Sequence, residues 1–246
     1  MPRRLLAEVV GSGLLVTVVV GSGIAAVRLS PNDVGLQLLE NAVATGLGLA
    51  VLILAFGPVS GAHFNPVVSA VDYWLGRRTR SGLSAPDLAG YVVAQSAGAI
   101  CGAVLANVMF AVPAVAFSRT ERGAAHLLLG EVVATAGLVF LIFSLARTHR
   151  GSIAAPAVGA YIAAASWFTS STSFANPAVT LGRAFTDTFA GIAPRSVPAF
   201  VGAEFVGAVV GIGLLLALYP HAEIGADEVV VPHGDRAAPA APPRTP

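Results

Sequence analysis

Six long apolar runs dominate this sequence and constrain its fold more than any other feature. They cover residues 5–27, 42–57, 88–106, 127–146, 152–172 and 196–219. Most approach the roughly 20 residues that an α-helix needs to cross a bilayer. Only 11% of the 246 residues are charged, whereas soluble domains carry about 25% charge. The sequence therefore predicts an all-α membrane protein with six transmembrane helices.

The charged residues indicate an orientation and exclude one class of partner. All fourteen basic residues are Arg, and they are scattered among loops rather than gathered in a stripe, which excludes nucleic acid as a partner. Six spans place seven Arg residues on the N-terminal side and five on the other side or within the membrane. By the positive-inside rule, we expect the N- and C-termini in the cytoplasm.

Two features limit the remaining chemistry. The lone Cys101 lies in the third run, where we expect it to be buried, and it excludes a disulfide within the chain and a cysteine-ligated zinc site. No HExxH, CxxC or catalytic Ser-His-Asp pattern occurs, so the sequence supports neither an enzyme nor a metal site.

Residues 220–246 are polar and rich in Pro and Ala, which predicts a disordered tail.

The two halves of the chain repeat each other. The stretch Leu-Ala-Glu-Val-Val around Glu8 matches Leu-Gly-Glu-Val-Val around Glu131, and an Asn-Pro pair at Asn65 matches one at Asn176. The repeats cover about residues 5–108 and 127–219. Each holds three spans, an odd number, so the second repeat must run with inverted topology. Inverted repeats place their shared site near the middle of the membrane.

The third and sixth runs also correspond to each other. Gln95, Gly98 and Gly102 match Glu204, Gly207 and Gly211. The glycine pairs have the small-xxx-small spacing that lets membrane helices approach closely. Because Glu204 matches an uncharged Gln95, we expect it to accept hydrogen bonds rather than to titrate.

Two short segments are too short to span a membrane. Apolar residues follow each Asn-Pro pair, but charged residues interrupt them before a bilayer could be crossed. The two boxes are Asn65-Pro66-Val67 and Asn176-Pro177-Ala178. Asn followed by Pro is typical of an N-cap and the first helical position. The sequence therefore predicts two re-entrant half-helices.

Half-helices inserted from opposite sides would bring their positive N-terminal ends together at mid-membrane. We expect each Asn amide to be free to donate hydrogen bonds into a lumen. Such an arrangement would hold a solute oxygen from two sides while repelling cations.

With six spans, two Asn-Pro boxes and paired carboxylates, nearly the whole chain resembles the aquaporin, or major intrinsic protein, family. The resemblance implies that Glu8 and Glu131 brace the re-entrant loops and that His63 lies by the cytoplasmic pore mouth. It also implies that residues 1–219 form a passive channel for small neutral solutes, without a cofactor. Four such subunits would form a homotetramer in the lipid bilayer of the cell membrane.

Two positions depart from the family's pattern. Val67 replaces the usual Ala of the first box, and Val179 replaces a pore-lining Arg. A bulkier Val67 that displaced Asn65 would partly close the pore. By the family's pattern, the narrowest point of the pore is formed by Thr45, Ala164, Ser173 and Val179.

These four residues predict a wide, uncharged constriction and therefore a facilitator broader than a water channel, passing glycerol-like polyols and water. The Val179 box followed by Thr180 resembles a bacterial branch linked with arsenic resistance, which is thought to pass arsenite and methylated arsenicals. Two alternatives remain open. One is a water-selective channel, and the other is a proton-coupled transporter, since inverted repeats and broken helices also build transporters.

Four polar residues near the boxes have simpler interpretations. We expect Ser69 and Thr180 to be hydrogen-bonded helix hydroxyls rather than solute contacts. Arg183 and Asp187 lie four residues apart, which predicts a helical ion pair. The alternative is that Arg183 attracts anions towards the outer vestibule of the pore and partly replaces the missing Arg.

Overall fold

The computed structural model describes residues 1–77 and 81–220, which form helices joined by loops. The helices are α1 (Pro2–Leu29), α2 (Val34–Ser60), α3 (Pro66–Gly76), α4 (Ala85–Met109), α5 (Ala125–Arg147), α6 (Ala154–Phe168), α7 (Pro177–Arg183) and α8 (Val197–Leu218). Single 3₁₀ turns, Gly151–Ile153 and Pro194–Ser196, precede α6 and α8. Residues 221–246 of the predicted tail lie outside the described residues.

Six of these helices confirm the predicted spans. Helices α1, α2, α4, α5 and α8, and α6 with its preceding 3₁₀ turn, are long and apolar enough to cross a membrane. Helix α2 begins eight residues before its apolar run, because Asp33 caps it by accepting a hydrogen bond from Leu36 N at 2.9 Å. Helix α6 ends at Phe168, four residues before its predicted end, and Thr172 has left-handed backbone geometry with φ 64°.

Helices α3 and α7 are the two predicted half-helices. They contain 11 and 7 residues, so they are about 16 and 10 Å long and too short for a hydrocarbon core of roughly 30 Å. Asn65 Oδ1 accepts a hydrogen bond from Val67 N at 2.9 Å, and Asn176 Oδ1 accepts one from Ala178 N at 3.0 Å. Both boxes therefore form the N-caps that the sequence predicts.

The matching glycines hold α4 against α1 and α8 against α5. A Cβ at Gly102 would overlap the carbonyl oxygen of Gly13, and a Cβ at Gly211 would lie 2.6 Å from the carbonyl oxygen of Ala136. The close approach predicted from the small-xxx-small spacing is therefore confirmed. Cys101, one residue from Gly102, lies on the exposed face of α4, so the expectation that it is buried is wrong.

Candidate functional site

A central cavity of about 470 Å³ runs between α1, α2, α5 and α6 and the loops that precede the half-helices. Helix α2 lines it with residues spaced four apart, namely Asn41, Thr45, Leu49, Ile53 and Gly57. Sixteen residues of α-helix rise about 24 Å, which is most of the roughly 30 Å hydrocarbon core. The cavity is therefore nearly as long as the hydrocarbon core of a bilayer is thick.

The wall of this cavity is divided between an apolar side and a polar side. Aliphatic side chains come from four helices, among them Leu15, Leu49, Leu138, Ile142, Val158 and Ile162. The loops before α3 and α7 contribute backbone and side-chain polar groups, including both box asparagines. A solute in the cavity thus meets hydrocarbon on one side and hydrogen-bonding groups on the other.

The two box asparagines are bonded to each other's loops. Asn65 Nδ2 donates to the carbonyl oxygen of Ala175 at 2.7 Å, and Asn176 Nδ2 donates to that of Phe64 at 2.8 Å. The expectation that the amides are entirely free is therefore wrong, because one hydrogen of each amide is bonded to a backbone carbonyl in the loop of the other repeat. Each amide carries two hydrogens, and the second is left for the cavity.

The loops before the half-helices have matching backbone strain. Non-glycine residues with positive φ occur three and one residues before each Asn, at Ala62 (49°), Phe64 (50°), Ser173 (51°) and Ala175 (48°). Left-handed geometry costs an L-residue roughly 1–2 kcal/mol. Such geometry persists only where surrounding contacts fix it.

Two fully buried carboxylates provide those contacts. Four backbone N–H groups donate to them: His63 and Phe64 to Glu8 at 3.1 and 2.8 Å, and Phe174 and Ala175 to Glu131 at 2.9 and 2.7 Å. Glu8 also accepts from Ser60 Oγ at 2.6 Å. The N–H groups of the two loops are thus bonded to the carboxylates. The carbonyl oxygens of Ala62, Ser173 and Phe174, in contrast, accept no hydrogen bond from the residues that the structure describes.

Helices α4 and α8 complete the support of each half-helix. Gln95 Nε2 donates to Glu8 at 2.7 Å and to Ser69 Oγ at 3.0 Å. At the matching place, Glu204 Oε1 accepts a hydrogen bond from Thr180 Oγ1 at 2.6 Å. Ser69 and Thr180 are fully buried helix hydroxyls with partners, as the sequence predicts.

Three of the four predicted constriction residues lie in the cavity wall. Thr45 comes from α2, Ser173 from the loop before α7, and Val179 from the first turn of α7. Their side chains are buried within the protein, and Val179 is 5% exposed. The structure thus brings an alcohol from α2, an alcohol from the loop and an apolar side chain from α7 to one cavity.

The fourth predicted residue, Ala164, does not lie in the wall and is exposed on another face of α6. Ile162 and Ser166 line the cavity instead. They are four residues apart and share a helix face, whereas Ala164 is two residues from each, or about 200° around the helix. Placing Ala164 in the constriction is therefore wrong, and Ser166 occupies the α6 side.

The remaining predicted residues of the first repeat fall into two groups. His63 lines the cavity, its Nδ1 lies 2.9 Å from Ser69 Oγ, and its ring packs edge-on against Tyr91 at 5.4 Å. Val67 is fully buried in the helix core and does not line the cavity. Asn65 keeps its cap on α3 and its hydrogen bond to Ala175, so Val67 does not displace it and the pore is not partly closed in that way.

The predicted ion pair between Arg183 and Asp187 is absent. Asp187 Oδ2 instead accepts a hydrogen bond from Arg119 Nε at 2.8 Å, and Asp187 Oδ1 accepts one from the backbone N–H of Arg119. These two bonds hold the pKa of Asp187 below its ordinary value. Arg183 is 6% exposed and lines the cavity. Its position four residues after Val179 was the sequence signal for this placement, because such residues share a helix face.

The fold and the cavity define a class of multi-pass membrane protein in which two half-helices of an inverted repeat meet beside a central passage. Comparison with known proteins identifies the family: residues 1–175 match the model of the major intrinsic protein family. The chain belongs to that family.

Individual relatives agree with this assignment. The chain is 50% identical to "Aquaglyceroporin AqpS" of Rhizobium meliloti over 215 residues, covering 87% of this chain and 89% of the relative. It is 32% identical to the "Lens fiber major intrinsic protein" of Gallus gallus over 267 residues, covering 99% and 92%. The crystal structure of the aquaglyceroporin from Plasmodium falciparum shares its fold, with a TM-score of 0.67, 20% identity and coverage of 89% and 97%.

Proposed function

We propose that this protein is a passive channel for water and small uncharged solutes such as glycerol. The observation that carries this proposal is the continuous cavity along α2, about 24 Å long, with both Asn-Pro boxes in its wall. A relative that is 50% identical and named an aquaglyceroporin supports the same class of solute.

The cavity suits a molecule with one hydroxylated side and one hydrocarbon side. The second amide hydrogens of Asn65 and Asn176 can donate to a solute oxygen, and the carbonyl oxygens of Ala62 and Ser173 can accept from a solute hydroxyl. The aliphatic wall faces the carbon skeleton. The positive ends of α3 and α7 disfavour cations at the same point.

The constriction supports a solute range broader than water. Thr45, Ser166, Ser173 and Val179 present three small alcohols and one apolar side chain to the cavity. None of these four side chains is aromatic. We therefore include neutral hydroxylated metalloid acids, such as arsenite and methylated arsenicals, among the proposed solutes.

We also propose that the protein is a homotetramer in the cell membrane with both termini in the cytoplasm. The orientation rests on the Arg excess of seven over five. The assembly is supported by strongly exposed apolar side chains on α2, including Leu47 and Val51, which suit lipid or neighbouring subunits.

Glycerol uptake into proteoliposomes tests this function. A channel equilibrates glycerol at the same rate with or without a proton gradient, whereas a proton-coupled transporter accumulates it. An Ile162→Trp variant fills the cavity and should abolish uptake. The matched Val209→Trp variant changes an exposed face and should not. Gradient-dependent accumulation, or equal uptake by the two Trp variants, would reject the proposal.

A further inference from the structure

We propose that Arg183 is the fixed positive charge of this pore, displaced by one helical turn from the position of Val179, and that it binds the oxygen atoms of passing neutral solutes. This inference rests on the proposed channel function and assigns a specificity-determining residue within the same passage. This role differs from that of a surface charge that only attracts anions, because the guanidinium lies in the wall of the cavity.

The position of Arg183 follows from the helical period of α7. Val179 and Arg183 are four residues apart, so they share one face of the helix and are separated by about 6 Å along its axis. Both line the cavity. Helix α7 runs away from Asn176, so Arg183 lies one turn farther from the box than Val179 does.

The guanidinium is fixed on one edge and open on the other. Its Nε donates to the carbonyl oxygen of Ala190, and its central carbon lies 3.3 Å from the ring centroid of Phe174. Among the described residues, its two terminal nitrogens have no hydrogen bond or ion pair, and they are not fully buried. An anchored guanidinium with free donors on a cavity wall is a preorganised binding group for oxygen.

The charges around Arg183 act in opposite directions. Arg122 repels it electrostatically, whereas Glu131 and Glu204 attract it. The first repeat has no equivalent arrangement: Gln95 stands at the position of Glu204, and Asp72 stands seven residues after Asn65, where the second repeat has Arg183. The second repeat thus has a carboxylate in place of Gln95 and a guanidinium in place of the Asp72 carboxylate.

This pairing allows a simpler interpretation, in which Arg183 only neutralises Glu204. The two interpretations differ in one measurable property. A guanidinium that faces the passage repels cations from it through its positive charge. Val179 contributes no charge at the constriction, so removing the Arg183 charge should weaken this barrier. A purely structural counter-ion would leave the cation permeability of the pore unchanged when both charges are removed together.

The experiment measures Na⁺ conductance and glycerol permeability in the same proteoliposomes. We expect Arg183→Gln to raise the ratio of Na⁺ to glycerol permeability by about tenfold or more, given the size of local field effects in clefts. Arg183→Lys should keep the ratio near that of the wild type. The control is Arg119→Gln, which removes an exposed Arg outside the cavity and should change neither permeability.

A double variant separates the two interpretations if the single variant folds poorly. Arg183→Gln with Glu204→Gln removes both charges and reproduces the Gln95 arrangement of the first repeat. We expect this variant to conduct Na⁺ as Arg183→Gln does. A folded double variant as tight to Na⁺ as the wild type would overturn the proposal. Wild-type liposomes that fail to pass glycerol would instead reject the channel function itself.

Discussion

Asn65 donates a side-chain hydrogen bond to the carbonyl of Ala175 at 2.7 Å, and Asn176 donates one to the carbonyl of Phe64 at 2.8 Å, so each bonds the residue that precedes the other. The partners are separated by 110 and 112 residues in sequence, respectively. Since each Oδ1 also caps its own half-helix, both amide groups are held in one orientation. The two halves of the protein are therefore joined at the point where a solute would pass.

Replacing Asn176 by Ala should cost both stability and flux. The variant loses an N-cap worth about 1 kcal/mol and the bond to Phe64, also worth about 1 kcal/mol. It removes a donor from the cavity, so glycerol permeability should fall severalfold. Thermal unfolding in detergent and stopped-flow light scattering measure the two effects.

Asp33→Ala is the matched control, because Asp33 caps α2 in the same way but does not line the cavity. It should lose about 1 kcal/mol with no change in permeability. Equal permeability of the Asn176→Ala and Asp33→Ala variants would show that the Asn176 amide does not act on the solute.

Glu8→Gln should destabilise the first re-entrant loop. The carboxylate accepts hydrogen bonds at both oxygens, and an amide nitrogen cannot accept those from Phe64 N and Gln95 Nε2. Leaving buried donors without acceptors costs about 1–3 kcal/mol each. Glu121→Gln changes an exposed carboxylate paired with Arg195 and should cost about 0.5 kcal/mol or less. Equal melting temperatures for the two variants would contradict a bracing role for Glu8.

Gly102→Ala should disrupt the packing of α1 on α4. The added methyl group would overlap the carbonyl oxygen of Gly13, and overpacking of this kind costs roughly 1–3 kcal/mol. Gly213→Ala on α8 meets no atom within 4 Å, so it should be neutral or slightly stabilising. Thermal unfolding of the two variants tests this difference. A Gly102→Ala variant as stable as the wild type would show that the helices can separate without cost.

Val67→Ala should reduce stability without changing flux. Val67 is fully buried and absent from the cavity wall, so its truncation leaves a void in the core. We expect a loss of about 1–2 kcal/mol and glycerol permeability equal to that of the wild type. An increase in permeability would mean that Val67 narrows the passage, contrary to its position in the structure.

The half-helices could be predicted from sequence because their signal is local. Asn supplies a cap, Pro tolerates the first helical position, and charged residues soon end each apolar run. The constriction residues Thr45, Ser173 and Val179 could likewise be assigned to the cavity, by counting from the boxes on the pattern of the family that the chain resembles. Such counting works where no loop of variable length intervenes.

The incorrect predictions arose where local sequence does not determine the geometry. Ala164 is separated from its box by the turn after α6, and an error of two residues there moves a side chain to another helix face. The bonds between Asn65 and Ala175 depend on the approach of two loops far apart in sequence. The partner of Arg183 depends on Ala190 and Phe174, whereas spacing alone favoured Asp187.

Stopped-flow light scattering on proteoliposomes, comparing the wild type with Val179→Arg, tests most directly whether Val179 holds open an uncharged constriction. Water, glycerol and arsenite permeabilities are measured for both proteins at equal reconstitution. We predict that the wild type passes all three and that Val179→Arg keeps water but loses the larger solutes. A wild type that conducts only water, with Val179→Arg behaving alike, would contradict the proposed selectivity.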